Sequence, residues 1–500
     1  MLIVGAGPTG LVLALWLTKF GIGVRIIDKL AASGTTSRAL AVQGRTLEFY
    51  QQFGFARAVV ERGHKIPAVN LWVKAEPAAR IPLENLGQGL TPFPFPIIFP
   101  QDEHEALLIE RLGALGIEIE RQVELVDFEE RGAEIRVTLR KAGVEEAGNF
   151  AYLAGCDGAR SRVREVLGVG FPGGTYDHLF YVADIEAAGL PMNGELHVDL
   201  EDADFLAVFP LQQTGRARLV GSVRDDAAKD HEHLGFEDVR GRAIENLRIE
   251  VKNVNWFSTY RVHHRVAQRF RKGRAFLLGD AAHIHSPVGG QGMNTGIGDA
   301  VNLAWKLAGS LKYPRSSPML DSYEPERIAF ARRLVATTDR AFTAVTSDTA
   351  FARFVRTKVI PAVAPGLIRL PAMRRLAFRT VSQIAVNYRD SPMSCGAAGT
   401  LHGGDRLPWV KIGAGDEHNF AALASMDWQI HVYGDPAPGL QALADGKKIA
   451  LHIFPWLAGM SQTGVKRNAA YLIRPDGYIG IADSGGSAAA IAAYLSERNL

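Results

Sequence analysis

The feature that most constrains the fold is a glycine-rich loop within the first ten residues. The short apolar run 2–4 is typical of a buried strand, and the sequence GAGPTG follows it directly at 5–10. The apolar stretch 11–20 then predicts a helix, and 24–27 predicts a second strand that ends at Asp28. A strand, a glycine turn, a helix and a strand, in this order, are what a dinucleotide-binding unit requires.

Each glycine of this loop has a physical purpose. Gly5 permits the tight turn, Gly7 lets a pyrophosphate lie against bare backbone, and Gly10 lets the helix pack closely on the strand. The helix N-terminus presents free N–H groups and a positive dipole end to the phosphates. Asp28 follows at the distance where a carboxylate accepts hydrogen bonds from ribose hydroxyls. NAD, NADP and FAD all share an adenosine pyrophosphate, so the loop alone leaves the dinucleotide open.

Composition limits the class of protein further. At roughly 150 residues per domain, the chain corresponds to about three domains, which excludes a single small binding module. Its 56 Lys and Arg nearly balance 53 Asp and Glu, so the net charge predicts neither a nucleic acid nor a membrane as partner. Because 47% of the residues are hydrophobic, wholesale disorder is excluded as well.

Cysteine content and the N-terminal sequence bear on the compartment. Cys156 and Cys395 are too few for a disulfide framework, so we expect a reducing, cytoplasmic location. The apolar stretch 2–17 has no basic leader and is interrupted by glycine and proline, so we interpret it as part of the fold rather than a targeting segment. No uninterrupted apolar run of about 18 residues occurs elsewhere, so no membrane-spanning helix is predicted.

Two further stretches combine an apolar strand with a glycine turn. In residues 152–162 the turn contains Asp157, and in residues 274–294 the strand ends at Asp280, before a glycine-rich loop and a helix. A carboxylate at such a turn suits a chain of hydroxyls, and free N–H groups in the loop suit a negative group. Alternatively, Asp280 caps a helix and the glycines only shape the loop.

With these motifs the chain resembles the FAD-dependent aromatic hydroxylases of the p-hydroxybenzoate hydroxylase type, the class A flavoprotein monooxygenases. The resemblance is carried by GAGPTG at 5–10, CDGARSRVR at 156–164 and RAFLLGDAAHIHSPVGGQGMNTGIGDAVNLAWKL at 274–307. It implies an α/β fold with a Rossmann-like FAD-binding domain, a mixed β-sheet substrate domain and a C-terminal thioredoxin-like domain. The length places the chain nearest the larger members that hydroxylate phenols, hydroxyphenylpropionates and aromatic polyketides.

The resemblance also implies the site residues. The residues implied to bind FAD or NAD(P)H are Gly5, Gly7, Pro8, Thr9, Gly10, Asp28, Lys29, Arg38, Gln101, Asp157, Gly279, Asp280, Gly289, Gly292, Met293 and Asn294. Pro287 is implied as the catalytic residue, because its carbonyl would lie beside the reacting edge of the flavin. No metal is implied.

Several of these residues receive individual roles from the resemblance. Arg38 would lie over the pyrophosphate and help dock NAD(P)H, and Gln101 would reach the ribityl region. Asp157 would serve both cofactors, and Asp280 would hold the ribityl chain. Backbone N–H groups of residues 292–294 would meet the flavin N1 and C2 carbonyl, where negative charge gathers on reduction.

The implied activity is hydroxylation of a phenolic or polyketide-like aromatic substrate with FAD, NAD(P)H and O2, through a flavin C4a-hydroperoxide. A separate NAD(P)H domain is not predicted, because GAG at 413–415 lacks a third glycine and the chain has no CxxC pair. One alternative is an FAD-dependent oxidoreductase of the same fold that does not hydroxylate aromatics. The halogenase form of that alternative would carry a Trp-x-Trp-x-x-Ile sequence, which is absent. A non-catalytic flavin-binding protein is the other alternative.

The motifs and the strand patterns also predict a domain organisation. The FAD-binding domain is predicted at 1–70, 98–175 and 270–350, the substrate sheet at 71–97 and 176–269, a helical linker at 351–399 and the thioredoxin-like domain at 400–500. In the substrate sheet we expect an aromatic slot formed by Phe205, Phe209 and either Tyr181 or Tyr260, and we assign no base that activates the substrate. The expected partners are a small aromatic substrate and O2, with a homodimer as one option for the assembly.

Overall fold

The computed structural model describes residues 1–34, 39–84, 86–200, 205–212, 215–223, 234–239, 242–286, 290–312, 317–346, 349–413, 415 and 417–500. The strands are β1 (Leu2–Val4), β2 (Arg25–Asp28), β3 (Ala41–Val42), β4 (His64–Lys65), β5 (Ala68–Val73), β6 (Glu76–Pro82), β7 (Ile97–Ile98), β8 (Ile119–Arg121), β9 (Val123–Arg131), β10 (Glu134–Lys141), β11 (Val144–Phe150), β12 (Leu153–Gly155), β13 (Gly173–Ala188), β14 (Leu196–Asp199), β15 (Leu206–Pro210), β16 (Arg216–Ser222), β17 (Glu250–Val266), β18 (Arg271–Lys272), β19 (Ala275–Leu277), β20 (His283–Ile284), β21 (Cys395–Ala398), β22 (Leu401–His402), β23 (Gln429–Tyr433), β24 (Ala450–Phe454), β25 (Ala470–Ile473) and β26 (Ile479–Asp483).

The helices are α1 (Pro8–Lys19), α2 (Gly44–Phe53), α3 (Ala56–Arg62), α4 (Gln101–Gly113), α5 (Arg162–Val166), α6 (Phe236–Val239), α7 (Arg242–Asn246), α8 (Gly292–Lys312), α9 (Ser317–Asp321), α10 (Tyr323–Thr346), α11 (Ala350–Phe354), α12 (Ile360–Arg369), α13 (Pro371–Val381), α14 (Leu440–Lys447) and α15 (Ala488–Glu497). A π-helical turn at Val355–Val359 joins α11 to α12. Within the described ranges, every helix is too short or too polar to cross a bilayer.

The three glycine motifs follow strands that are neighbours in one sheet, which we call the parallel sheet. Its order is β18-β19-β12-β1-β2-β8, and β19, β12, β1, β2 and β8 all run in the same direction. α1 begins with Pro8 at its first turn, and its residues 10–17 are all buried, so this helix is packed on every side. The predicted strand, turn, helix and strand at the N-terminus are confirmed.

A larger mixed sheet lies beside the parallel sheet. Its order is β20-β17-β13-β16-β15-β14-β5-β6, and the pairs are antiparallel except for β14 with β5. One face is covered by α6 and α7, where Ile244 of α7 and Leu247, just after it, pack with residues of β13, β15 and β16. The predicted mixed β-sheet is therefore confirmed, and β5 and β6 show that the segment after residue 67 contributes its edge.

The C-terminal part forms a sheet of its own, with the order β22-β21-β26-β25-β23-β24. β23, α14 and β24 form a parallel βαβ unit, and β25 and β26 form an antiparallel pair that is followed by α15. This arrangement agrees with the predicted thioredoxin-like domain. The exact domain limits proposed above stay predictions.

Candidate active site

The carboxyl ends of β1, β12 and β19 lie side by side, because these strands are parallel neighbours. The glycine turns that follow them are therefore brought to the same edge of the sheet, where ligands of open α/β folds bind. Three segments separated by more than a hundred residues each thus form one cradle.

Within the first loop the glycines have different surroundings. Gly5 has a φ of +102°, and a Cβ there would collide with the carbonyl oxygen of Cys156. A Cβ on Gly10 would collide with the carbonyl oxygen of Gly5. At Gly7, by contrast, no described atom lies within 4 Å of the place a Cβ would occupy. The fold itself requires Gly5 and Gly10, whereas Gly7 leaves bare backbone facing open space at the start of α1.

Asp28 holds the loop from the neighbouring strand. Its Oδ2 accepts a hydrogen bond from the backbone N–H of Ala6 at 2.8 Å, and its Oδ1 accepts one from Leu30, also at 2.8 Å. A carboxylate has about four acceptor positions, so capacity for ribose hydroxyls remains. Lys29, predicted beside it, is exposed.

The N-terminus of α8 forms the opposite wall of the cradle. The first bond of the helical pattern runs from the N–H of Thr295 to the carbonyl of Gln291, at 2.9 Å. The N–H groups of Gly292, Met293 and Asn294 precede it, so they have no acceptor within the helix, and the positive end of the 21-residue helix dipole lies here.

Glycines also bring α1 and α8 together at Thr9. A Cβ on Gly279 would lie 2.7 Å from the Thr9 hydroxyl, and a Cβ on Gly296 would collide with it. Thr9 is therefore packed between two glycines, and the first turns of both helices converge. Two positive helix ends at one place suit a negatively charged ligand.

One face of the mixed sheet carries a row of aromatic side chains. Phe205, just before β15, accepts a backbone hydrogen bond from Ser222 of β16. Ser222 pairs with Phe180 of β13, which pairs with Tyr260 of β17, and the Phe180 and Tyr260 rings are 6.1 Å apart. Phe209, farther along the same face, packs against Leu40, Ile66 and Ile98. Leu40 and Ile66 precede the strands of the mixed sheet in the chain, and Ile98 belongs to the short strand β7. This face therefore looks toward the side of the molecule that contains the cradle.

A buried ion pair lies on the same face. Arg218 donates to both oxygens of Asp184, at 2.5 and 2.7 Å, and its side chain is 2% exposed. Tyr181 lies on the other face, packed with Phe236 of α6, because alternate residues of a strand point to opposite faces. Of the two tyrosines predicted for the aromatic slot, the structure thus groups Tyr260 with Phe205 and separates Tyr181 from them.

Comparison with known proteins agrees with this geometry. The family described as FAD binding domain matches residues 1–338. The 6-methylpretetramide 4-monooxygenase of Streptomyces rimosus is 34% identical over 514 residues, which cover 96% of this chain and 90% of that protein. The chain belongs to the FAD-dependent aromatic monooxygenases.

Solved structures of similar proteins agree along the whole length of this monooxygenase. The anhydrotetracycline hydroxylase OxyS from Streptomyces rimosus has a TM-score of 0.79 at 28% identity, and the match covers 99% of this chain and 97% of that one. The rebeccamycin biosynthetic enzyme RebC with reduced flavin has a TM-score of 0.78 at 26% identity, covering 99% and 98%. The predicted fold class and the FAD cofactor, with NAD(P)H as the family's reductant, are confirmed.

Several predicted site residues of this monooxygenase are engaged within the protein. Asp157 accepts from the Ser161 hydroxyl at 2.6 Å and from the N–H of Val163 at 3.1 Å, so it fixes the start of α5. Burial raises the pKa of this carboxyl. Gln101, at the start of α4, donates to Glu105 at 2.7 Å. Their proposed contacts with the cofactors stay predictions.

The remaining predicted residues divide into two groups. Asp280 is exposed on the turn that follows β19, and its role in holding the cofactor stays a prediction. Arg38, Pro287 and Gly289 lie outside the described residues. The predicted catalytic role of Pro287 therefore stays a prediction.

His285 is a site residue that the sequence analysis did not identify. Its Nδ1 lies 2.8 Å from the carbonyl oxygen of Ser286, so Nδ1 carries the proton and Nε2 is an acceptor. Nε2 is buried without a partner among the described residues, 3.7 Å from the place of a Cβ on Gly292. Burial lowers the pKa of His285 to about 4. The available signal was a histidine between the Gly-Asp turn and the glycine loop.

Asp299 is a second residue that the sequence analysis missed. Its carboxylate fixes the Gly-Asp turn at residues 279–280. Its Oδ2 accepts from the N–H of Gly279 at 3.0 Å and pairs with His283 Nε2 at 2.7 Å. Its Oδ1 accepts from Arg327 at 2.6 Å. The turn that carries Asp280 is thus held by a fully buried carboxylate that an arginine and a histidine surround.

Three features of the cradle fit FAD. A bound dinucleotide would complete the open space at Gly7, the two converging helix ends and the Nε2 of His285, which has no partner in the described part of the chain. The residues present therefore fit the cofactor of the family.

Proposed function

We propose that this monooxygenase inserts one oxygen atom into a polycyclic aromatic substrate of the polyketide type. Support comes from the row of Phe205, Phe180 and Tyr260, which offers a wide aromatic wall rather than a narrow slot. The relatives named 6-methylpretetramide 4-monooxygenase and anhydrotetracycline monooxygenase act on such ring systems, and they match this chain over 96% of its length.

The cofactor would be held by backbone more than by side chains. The N–H groups at the start of α1, beside Gly7, would bind the pyrophosphate, and Asp28 would bind the adenosine ribose. The first turn of α8 would place its free N–H groups where negative charge develops. Bound FAD supplies the redox chemistry, which takes a hydride from NAD(P)H and activates O2 for transfer of one oxygen atom.

His285 would complete this arrangement as a hydrogen-bond acceptor. The imidazole is neutral at pH 7, because burial lowers its pKa to about 4. Its Nε2 would accept a hydrogen bond from a donor of the bound cofactor or substrate and so orient that ligand.

The mixed sheet would keep water from the reacting atoms. Val262, 4% exposed, and Phe180, 2% exposed, leave little room for solvent behind the aromatic row. Exclusion of water favours oxygen transfer over release of peroxide. The Arg218–Asp184 pair adds a polar end to the aromatic wall.

A substrate panel tests the proposal. The FAD-loaded protein is mixed with NADH or NADPH and with monocyclic phenols or polycyclic aromatic polyketides, and both NAD(P)H oxidation and product mass are measured. We expect polycyclic compounds to stimulate oxidation and to gain the mass of one oxygen atom. A response to monocyclic phenols alone would show that the substrate class is wrong. Oxidation without oxygenated product would favour the oxidoreductase that does not hydroxylate.

The role of His285 is checked by the variant His285→Leu. The substitution removes a buried atom that has no partner among the described residues, so the melting temperature of the FAD-free protein should change little. Ligand affinity should fall about tenfold, which corresponds to about 1.4 kcal/mol. Fluorescence titration with FAD and with substrate identifies the affected ligand, and unchanged affinity for both would refute the role.

We also propose that the protein works in a reducing compartment such as the cytoplasm. Both cysteines are free, with Cys395 exposed and Cys156 partly buried. Burial raises the pKa of the Cys156 thiol, which keeps it protonated and unreactive.

A further inference from the structure

The helical segment from α11 to α13 exposes an unusual number of large apolar side chains. They are Phe351, Phe354, Val359, Ile360, Val363, Leu367, Leu370, Met373, Leu376 and Val381, which we call the apolar face. Phe351 is 77% exposed and Leu376 is 58% exposed. The other exposed large apolar residues among those described are scattered along the rest of the chain.

The apolar face follows the helical repeat on the solvent side. In α12, Ile360, Val363 and Leu367 are three and four residues apart, so they lie on one side of the helix, and all three are exposed. In a surface helix this stripe normally faces the core. Here Phe378 of α13 makes the inward contact, with Leu86 and Ile384. The helical segment therefore packs on the core through Phe378, and the side chains of the apolar face take no part in that contact.

The segment that carries the apolar face contains charges of only one sign. Residues 349–389 contain eight Arg and Lys and no Asp or Glu, whereas the rest of the chain has 48 Arg and Lys against 53 acidic residues. Exposed cations lie among the apolar side chains at Arg353, Lys358, Arg369, Arg375 and Arg379. The near-neutral net charge therefore conceals a strongly cationic segment in an otherwise acidic molecule.

We propose that the apolar face docks this monooxygenase on an anionic lipid surface. Helices that combine cations with exposed apolar side chains lie in the plane of the interface, where the apolar groups enter the boundary of headgroups and acyl chains. The cations meet the anionic headgroups, and no acidic side chain of the segment opposes them. The near-neutral net charge predicted no membrane partner, because a net charge does not show that the cations are concentrated in one segment.

A second copy of the chain fits this face less well. A closed two-fold dimer brings the same patch of each subunit together. Each of the five exposed cations would then face a surface that is also cationic and offers no carboxylate from this segment. The charge pattern therefore favours a lipid surface over self-association through the apolar face.

Cosedimentation of the FAD-loaded full chain with vesicles tests the proposal. One vesicle is phosphatidylcholine alone, and the other is an equimolar mixture of phosphatidylcholine and phosphatidylglycerol. We expect at least about tenfold tighter binding to the mixture, and weaker binding at high salt, because the electrostatic part is screened. Absence of binding to the mixture, or equal binding to both vesicles, would overturn the proposal.

Two pairs of variants separate the contributions. Phe351→Ser with Phe354→Ser removes apolar contact, and Arg375→Glu with Arg379→Glu reverses charge, so each pair should weaken vesicle binding about tenfold or more. The matched controls make the same exchanges at exposed positions elsewhere in the chain: Val144→Ser with Leu190→Ser, and Lys252→Glu with Lys466→Glu.

The controls should bind vesicles as the unaltered protein does. All variants should keep its flavin spectrum and its rate of NAD(P)H oxidation in lipid-free buffer, because none touches the cradle. If the controls weaken binding equally, the proposal is wrong. It is also wrong if the unaltered protein is a dimer in light scattering that the Phe351 and Arg375 variants dissociate, since the face would then be a subunit interface.

Discussion

Gly7 and Gly10 belong to the same loop, but the structure assigns them different physical tasks. Gly10 is needed because its Cα lies against the carbonyl of Gly5, where no side chain fits. Gly7 has φ −78° and ψ −178°, which any residue adopts, and the space beside it is open. Its lack of a side chain therefore matters to the ligand and not to the fold.

This difference predicts opposite results for two alanine variants. Gly10→Ala should destabilise the FAD-free protein by about 3 kcal/mol, because the methyl group forces the helix away from the strand. Gly7→Ala should leave the melting temperature of the FAD-free protein unchanged and weaken FAD binding about tenfold, about 1.4 kcal/mol. Scanning fluorimetry with and without FAD checks both, and normal FAD affinity in Gly7→Ala would contradict the assignment.

At the residue scale, the buried His104 contributes to the acid sensitivity of the molecule. His104 is fully buried, with Nε2 2.7 Å from the Tyr50 hydroxyl, and burial lowers its pKa to about 3. The unfolded chain takes up this proton below about pH 6.5, whereas the folded chain does not. The stability associated with neutral His104 is therefore present above pH 6.5 and is lost progressively as the pH falls toward 3.

The variant His104→Gln tests this pH dependence. The free energy of unfolding of the unaltered protein should fall between pH 6.5 and 4, and His104 should account for up to about 1.4 kcal/mol per pH unit of that slope. His104→Gln should show a shallower slope in urea unfolding at several pH values. His402→Gln, at an exposed position, is the control. An unchanged slope in His104→Gln would refute the explanation.

At the scale of single elements, α8 depends on the side chain of Asn294. The family resemblance implied a role only for the backbone N–H group of this residue. Asn294 accepts from the N–H of Gln43 at 2.9 Å and from the Thr46 hydroxyl at 2.7 Å. Its Nδ2 donates to the carbonyls of Ala41, at 2.8 Å, and Gly290, at 2.9 Å. The first turn of α8 is thus fixed to β3 and α2 by one fully satisfied amide.

The variant Asn294→Asp keeps the shape of this side chain and replaces its two donors by an acceptor. That oxygen would face two carbonyl oxygens, so we expect a loss of about 3 kcal/mol in stability. FAD affinity should fall as well, because the free N–H groups of α8 lose their support. Urea unfolding and FAD titration measure the two effects. Asn253→Asp, on an exposed part of β17, should change neither.

At the scale of the whole molecule, buried charges join the C-terminal sheet to the rest of the chain. Arg474 donates to both oxygens of Glu326, at 2.9 and 3.0 Å, and neither side chain has any exposed surface. Lys306 also donates to Glu326, at 2.7 Å, and Trp305 donates to Asp476 at 2.9 Å. Arg327, next to Glu326 in the chain, donates to Asp299, and Asp299 accepts from the N–H of Gly279. The buried charges therefore connect the C-terminal sheet with the Gly-Asp turn.

Removal of the Arg474 side chain therefore tests whether the buried ion pair holds the C-terminal sheet against the rest of the chain. Arg474→Met leaves the charges of Glu326 and Asp476 buried with one partner fewer, which should lower stability by about 3–5 kcal/mol. Limited proteolysis should then release the C-terminal part more readily. Arg57→Met, which removes a fully exposed partner of Glu61, should leave both measurements unchanged. If Arg474→Met unfolds like the unaltered protein, the C-terminal part is not held by this pair.

Much of the fold and of the cofactor site follows from local sequence. The apolar run before GAGPTG, the helix after it and Asp28 at the end of the next strand are features of neighbouring residues, and they appear as predicted in β1, α1 and β2. The family resemblance implied that three glycine turns would serve one cofactor, and the structure brings these turns to one edge of the parallel sheet.

Only the tertiary structure decided which side chains meet across long separations. Strand alternation alone could not show that Tyr260 joins Phe205 while Tyr181 packs under α6, since either face of a strand can become the inner one. The pairing of Arg474 with Glu326 and the outward apolar face of α12 are likewise invisible to periodicity. Sequence patterns encode the elements and their local turns, whereas burial and charge pairing arise when distant elements pack.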